Sequence, residues 1–320
     1  MKSRLWLLYA LTTMIFFGVW GALIEIPEKG GFPATLSFSV WAVTMIIPAV
    51  FALQGIKWKI DFNKRALFLG SMAGFLGAGG QLLLFQALVT GPAYLVFPFV
   101  SLSPVITIIL SYLFLKERVT KMGWVGIGIA VVALPLLSYQ PPEGGTGSGY
   151  MFIILSLIVL AAWGTQQFFI KKANKYMKSQ SIFFYMTAAG LLVIPIAVLM
   201  TDFTQPINWS FSGPGLAAII QVLNAVGALT MVFAYRYGRA MIVSPLMYVG
   251  APVITIILSL SIYGVIPHMV VSVGMVMAIV AVLLLAKEDH CKDSSYKDNY
   301  SSHHLVNRCS AHSKGDKHQS

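Results

Sequence analysis

Ten apolar runs divide the first 286 residues, at 5–26, 34–53, 66–90, 93–115, 122–138, 150–170, 182–200, 215–237, 241–263 and 267–286. Each is near the length an α-helix needs to cross about 30 Å of hydrocarbon. Short polar connections separate them. Lipid offers no partner to an unpaired backbone N–H or C=O, so the runs read as helices and not as strands. The pattern predicts an all-α membrane protein with ten transmembrane helices. The first run follows Lys2 and Arg4, as a signal peptide would, but it is longer than a signal core and no clear cleavage site closes it. It reads as a retained helix.

Composition agrees. Hydrophobic residues make up 57% of the chain and charged ones 10%, too few to keep a soluble surface dissolved. A net charge of +11 raises nucleic-acid binding as an alternative. The basic residues fall instead in short clusters between the apolar runs, with no stripe that could follow phosphates. Of 22 Lys and Arg residues, all but Lys29 lie in alternate connections, at the N-terminus or in the tail. That asymmetry predicts both termini on the cytoplasmic side of the membrane. The segment 287–320 is polar and reads as a disordered cytoplasmic tail. It holds His290, Cys291, His303, His304, Cys309 and His312, but their spacing fits no regular zinc pattern, and no metal or cofactor is expected.

The chain repeats itself. Pro-Val-Ile-Thr-Ile-Ile-Leu-Ser occurs at 104–111 and again at 252–259. Gly91, Ala93, Val96 and Pro98 match Gly238, Ala240, Val243 and Pro245, and Trp20-Gly21 matches Trp163-Gly164. The domains predicted are a first five-helix repeat at 5–138, an extracytoplasmic linker at 139–149 and a second repeat at 150–286. Five spans are an odd number, so the second copy enters the membrane from the opposite side. Inverted repeats permit alternating access, with the solute site near the midplane between them.

Gly91-Pro-Ala-Tyr-Leu-Val-Phe-Pro, then Leu102-Ser-Pro, then Leu115-Lys-Glu-Arg-Val-Thr resemble the EamA branch of the drug/metabolite transporter superfamily. Trp20-Gly21, Gly123 and Gly126 fit the same resemblance, which covers about residues 5–286. It implies an inner-membrane carrier, often an exporter of amino acids, metabolites or drugs, with its pocket among the first, third, fourth, sixth, eighth and ninth helices. The chain departs from the pattern once. Glu117 closes the fourth helix, while the ninth ends in Gly-Val-Ile-Pro-His268 with no acidic residue.

Polar residues within the spans are few, and each has two readings. Gly70, Gly74, Gly77 and Gln81 share one face of the third span; Gln221 and Asn224 share one face of the eighth; Trp163 and Gln167 stand a turn apart in the sixth. Gln81, Gln167, Gln221 and Asn224 with Trp20 and Trp163 could line a cavity for a neutral or zwitterionic solute. They could equally tie helices together. Trp41 and Trp124 fit an interfacial aromatic belt, and Arg236 and Arg239 fit topology anchors at a helix end. Glu25, if buried, could carry a proton; at the outer headgroup level it would not. Pro98, Pro104, Pro245 and Pro252 fall at matching places in the fourth and ninth spans and mark candidate hinges.

A secondary transporter of a small metabolite, working by alternating access and exporting, fits best. A facilitator or exchanger of sugars and a non-transporting membrane subunit remain alternatives. No P-loop is present, and no paired acids, Ser/His arrangement or metal set lies within a span, so an enzyme is not expected. The expected partners are membrane lipid and a small-molecule solute, with a homodimer left open and no nucleic acid.

Overall fold

In a computed structural model the chain is described over residues 5–90, 93–139, 150–263 and 267–287. The expectations for the linker and the tail lie almost wholly outside these. Among the described residues the chain is all helix, with no strand. Eight helical segments are long and apolar enough to cross a membrane, and two shorter apolar ones, Phe99–Phe114 and Lys121–Leu137, accompany them.

The helices are α1 (Leu5–Leu23), α2 (Glu25–Lys29), α3 (Ala34–Thr44), α4 (Ile46–Gly55), α5 (Lys64–Thr90), α6 (Ala93–Ser101), α7 (Ser103–Phe114), α8 (Lys121–Leu137), α9 (Met151–Ala173), α10 (Ser179–Leu199), α11 (Leu216–Tyr237), α12 (Ala240–Tyr263) and α13 (Met269–Ala286). Three expected spans are broken. Proline has no N–H to donate and its ring crowds the carbonyl four residues back. Pro27, Pro48 and Pro104 put that crowding at Leu23, Thr44 and Val100, and α1, α3 and α6 end at or one residue past those positions. Pro245 and Pro252 do not break α12, which runs through both. The symmetric interruption expected from the sequence is therefore found in the fourth span only. A packed transmembrane helix can absorb a proline when its surroundings satisfy the freed backbone groups.

The basic connections gather at one end of the bundle. Asp61 Oδ2 accepts from the Lys178 N–H at 2.9 Å and from Ser181 Oγ at 2.9 Å. Arg236 Nη1 donates to the Asn174 and Met177 carbonyls, each at 3.1 Å. At the opposite end Asn208 Nδ2 reaches the Gly30 carbonyl at 3.0 Å, and Thr35 bonds Thr201 at 2.7 Å. Gly31 there has φ +90, a left-handed value that glycine adopts without strain.

Packing crosses between the two halves of the chain. The helix α1 lies on α11 and α12, while α9 lies on α5, α6 and α7. The two copies of the octapeptide make matching contacts. Thr107 Oγ1 donates to the Gly164 carbonyl at 2.9 Å, and Thr255 Oγ1 donates to the Gly18 carbonyl at 2.9 Å. A Cβ on Gly164 would lie 2.5 Å from Ile106 Cβ, and one on Gly18 would lie 2.5 Å from Ile254 Cβ. Only glycine allows such an approach. Gly18, three residues before Gly21, is thus the counterpart of Gly164. The Trp-Gly match seen in the sequence is offset by most of a helical turn from the correspondence set by packing.

The small-residue face of α5 serves two neighbours. Gly70 and Gly74 meet Tyr185 and Ala189 of α10, while Gly77 and Gly80 meet Gln166 and Trp163 of α9. A Cβ at Gly74 would sit 2.5 Å from Ala189 Cβ and 2.8 Å from the Tyr185 carbonyl oxygen. Gly74→Val is expected to lower stability by about 1–3 kcal/mol through overpacking. Gly79→Ala, with nothing within 4 Å, is expected to be neutral or slightly stabilising. Thermal unfolding of both variants in detergent micelles checks the contrast.

Candidate functional site

Within the spans, away from the basic end, a polar cluster joins α1, α3 and α11. Gln221 and Asn224 lie three residues apart and so share one face of α11. Gln221 is buried. Its Oε1 accepts from Trp20 Nε1 at 2.9 Å, and its Nε2 donates to Ser37 Oγ at 3.1 Å and to the Ser37 carbonyl at 3.2 Å. Asn224 Oδ1 accepts from Trp41 Nε1 at 2.9 Å. Three of the residues singled out in the sequence, Trp20, Gln221 and Asn224, therefore meet. Trp41 joins them: its indole N–H, expected to face the headgroups of an aromatic belt, is instead spent on Asn224. Trp124 is exposed, edge-on to Tyr112, as a belt residue would be. Gln221 has both ends of its amide engaged. Asn224 is only half-buried, and its Nδ2 finds no partner among the described residues.

A second cluster lies in the half nearer the basic end. Gln167 is 1% exposed. Its Oε1 accepts from Tyr235 Oη at 2.5 Å and from Ser244 Oγ, while its Nε2 has no hydrogen-bond partner among the described residues. A buried amide N–H₂ left unbonded is costly and rare, and it marks a place for a water or a solute oxygen. Gln81 and Trp163 join neither cluster. Trp163 Nε1 reaches the Gly77 carbonyl at 3.4 Å and its ring packs on Gly80, so it ties α9 to α5. Gln81 is half-buried with no hydrogen-bond partner among the described residues.

Glu25 stands exposed at the end of α1–α2 and pairs with Lys29 at 2.6 Å. The burial that would let it hold a proton is not found. Pro104 is buried in the first turn of α7, and Pro98 lies within α6. Arg239 is 5% exposed, so it is no headgroup anchor. Ser37 and Ser244 escaped the sequence reading because hydroxyls are common in membrane helices. Lys171 was read only as a topology signal, yet it lies one turn from Gln167 on the same face of α9, and that spacing was the clue.

The model of the EamA-like transporter family matches residues 4–139 and again 149–287. The chain belongs to the EamA-like transporter family. Its members are transporters, and the chain is a multi-pass membrane transporter of small solutes. Curated relatives match over parts of it. An uncharacterised protein of Methanocaldococcus jannaschii is 36% identical over 101 residues, 31% of this chain and 74% of its own length. The probable 4-amino-4-deoxy-L-arabinose-phosphoundecaprenol flippase subunit ArnE of Hamiltonella defensa is 37% identical over 81 residues, 25% of this chain and 72% of its own. Protein LicB of Haemophilus influenzae is 24% identical over 187 residues, 58% of this chain and 60% of its own. A solved crystal structure shares the fold, with a TM-score of 0.70 over 87% of this chain and 94% of that one, at 14% identity.

The Trp20–Gln221 bond can be measured. Trp20→Phe and Gln221→Leu are each expected to destabilise the bundle, and the double variant to lose less than the sum. The coupling expected is about 0.6 kcal/mol, with an upper bound near 2. Equilibrium unfolding from bicelles reads it; strictly additive losses would mean that the bond does not form in a bilayer.

Proposed function

We propose that this transporter moves a small neutral or zwitterionic solute, such as an amino acid, across a cell (inner) membrane by alternating access, in the export direction. The observation that carries this reading is the α1–α3–α11 cluster. Two indoles there supply flat apolar walls, and the half-buried Asn224 amide keeps donors unspent. A solute with an uncharged or self-compensated polar group suits such walls. Among the described residues no Lys or Arg reaches this cluster to clamp a lone anion.

Two features support an inverted five-helix repeat. The duplicated threonines bond glycines of the opposite half at equal distances. The ArnE relative, of which 81 residues make up 72%, is about 110 residues long, close to one repeat. Counting α6–α7 and α8 with the eight longer segments gives ten spans. The connections then alternate between the two ends, and the basic end faces the cytoplasm with both termini. A second reading follows from the ArnE relative's own name: the cargo would be a lipid-linked sugar, and this chain a flippase or one part of it.

Proteoliposomes holding the purified chain would be offered labelled amino acids, neutral sugars and metabolites, with and without a pH gradient. Uptake of at least one zwitterionic or neutral solute is expected, reduced about tenfold or more in Asn224→Leu, the loss expected when buried polar recognition is removed. Glu25→Gln is expected to leave uptake unchanged. Folded protein that moves none of the pool would contradict the reading, and translocation of a lipid-linked sugar in its place would favour the second.

A further inference from the structure

At the basic end three charged side chains are buried together. Glu117 is 5% exposed, Arg239 is 5% exposed and the Lys171 side chain is 12% exposed. Glu117 follows Lys116, whose φ of +56 is rare for a residue with a side chain. That left-handed residue ends α7, and the Glu117 N–H turns back to the Ser111 carbonyl at 3.2 Å. Strained backbone of this kind persists only where the surroundings hold it, and here it accompanies an inward-turned carboxylate.

The contacts of these charges cross between the two halves of the chain. Glu117 Oε2 accepts from the Met241 N–H at 3.1 Å, at the start of α12, where the helix dipole favours an anion. Lys171 Nζ lies 3.8 Å from Glu117 Oε1 and donates to the Tyr235 and Gly238 carbonyls at 3.0 and 2.6 Å, at the end of α11, where the dipole favours a cation. Arg239 Nη1 donates back to the Arg118 carbonyl. Around this cluster every residue from 238 to 247 is buried, whereas the residues from 254 to 262 on α12 are half-exposed or exposed. The bundle is shut at this end.

Among the described residues nothing comparable is built at the other end. By the Gly18–Gly164 correspondence, Glu25 stands where Lys171 does, and it is exposed and paired only with Lys29 of its own short helix. By the octapeptide correspondence, the place of Glu117 falls at the uncharged Gly264-Val265.

We infer that Glu117, Lys171 and Arg239 form a one-sided latch that holds the basic end closed and so sets the resting conformation of the transporter. Glu117 is a positioning residue: it touches no solute but decides which end is shut before one arrives. The inference rests on the alternating-access reading. It explains how a near-symmetric carrier comes to favour one state, since a charge cluster on one side only makes the two conformations unequal.

The test is thiol accessibility in lipid nanodiscs, on the full chain with Cys291 and Cys309 changed to serine. Ser111→Cys reports the basic end; Ser111 is fully buried and its Oγ has no hydrogen-bond partner among the described residues. Ser156→Cys, buried on α9 towards the other end, reports general loosening. With a membrane-impermeant methanethiosulfonate, Glu117→Gln is expected to raise the Ser111→Cys rate about tenfold or more, as a population shift of that size would. The Ser156→Cys rate should stay low, and Glu117→Asp should fall back towards the parent. An unchanged Ser111→Cys rate would overturn the latch even if the parent transports solute. Equal rises at both reporters would overturn it too, by making Glu117 a fold staple.

Discussion

One contact that joins the two halves is made twice: a threonine hydroxyl on the carbonyl of a closely approached glycine in the opposite half. Thr107 on Gly164 and Thr255 on Gly18 each let the backbone of one half reach into the other. Helices in lipid gain little from burying apolar area, because the tails around them are equally apolar; association comes from close van der Waals contact and interhelical hydrogen bonds. A glycine without a Cβ and a threonine with one hydroxyl supply both. These two contacts hold α1 on α12 and α9 on α7, while α11 and α5 pack beside them through contacts of their own.

That arrangement decides where polar groups can sit. Near one end, α11 presents Gln221 and Asn224 to two tryptophans and a serine. Near the other, α9 presents Gln167 to Tyr235 and Ser244, with Lys171 one turn further. The first spans helices from both halves, and Lys171 ties the second to Glu117 of the first half, so these contacts must rearrange if the halves rock. The clusters are not equal. The charged one is buried and closed, while the tryptophan–amide one is half-open and uncharged.

The fold class was legible in the sequence because run length and charge alternation are imposed by the bilayer, not by packing detail. The repeat was legible because the octapeptide survived in both halves. Its alignment was not, since Trp20-Gly21 and Trp163-Gly164 matched as words while Gly18 and Gly164 match as contacts. The helix breaks at Leu23, Thr44 and Leu102 follow from prolines visible in the chain, yet Pro245 and Pro252 show that proline alone does not dictate a break. Of the candidate site, Trp20, Gln221 and Asn224 came together as spacing suggested. Trp41 was misplaced because a tryptophan near a span end looks like a belt residue whether its indole faces headgroups or an asparagine. Gln81 and Glu25 were chosen for rarity, and rarity does not say which way a side chain faces. The buried charges escaped notice because Lys and Arg at a cytoplasmic helix end are normally read for topology.

The central claim is that the two ends of the bundle open in turn. Paired spin labels across the basic end, and a second pair across the opposite end, would be measured by pulsed electron resonance in liposomes with and without a transported solute. The account expects the two distances to change in opposite directions when solute is added. Distances that both stay fixed, or that both widen together, would contradict it.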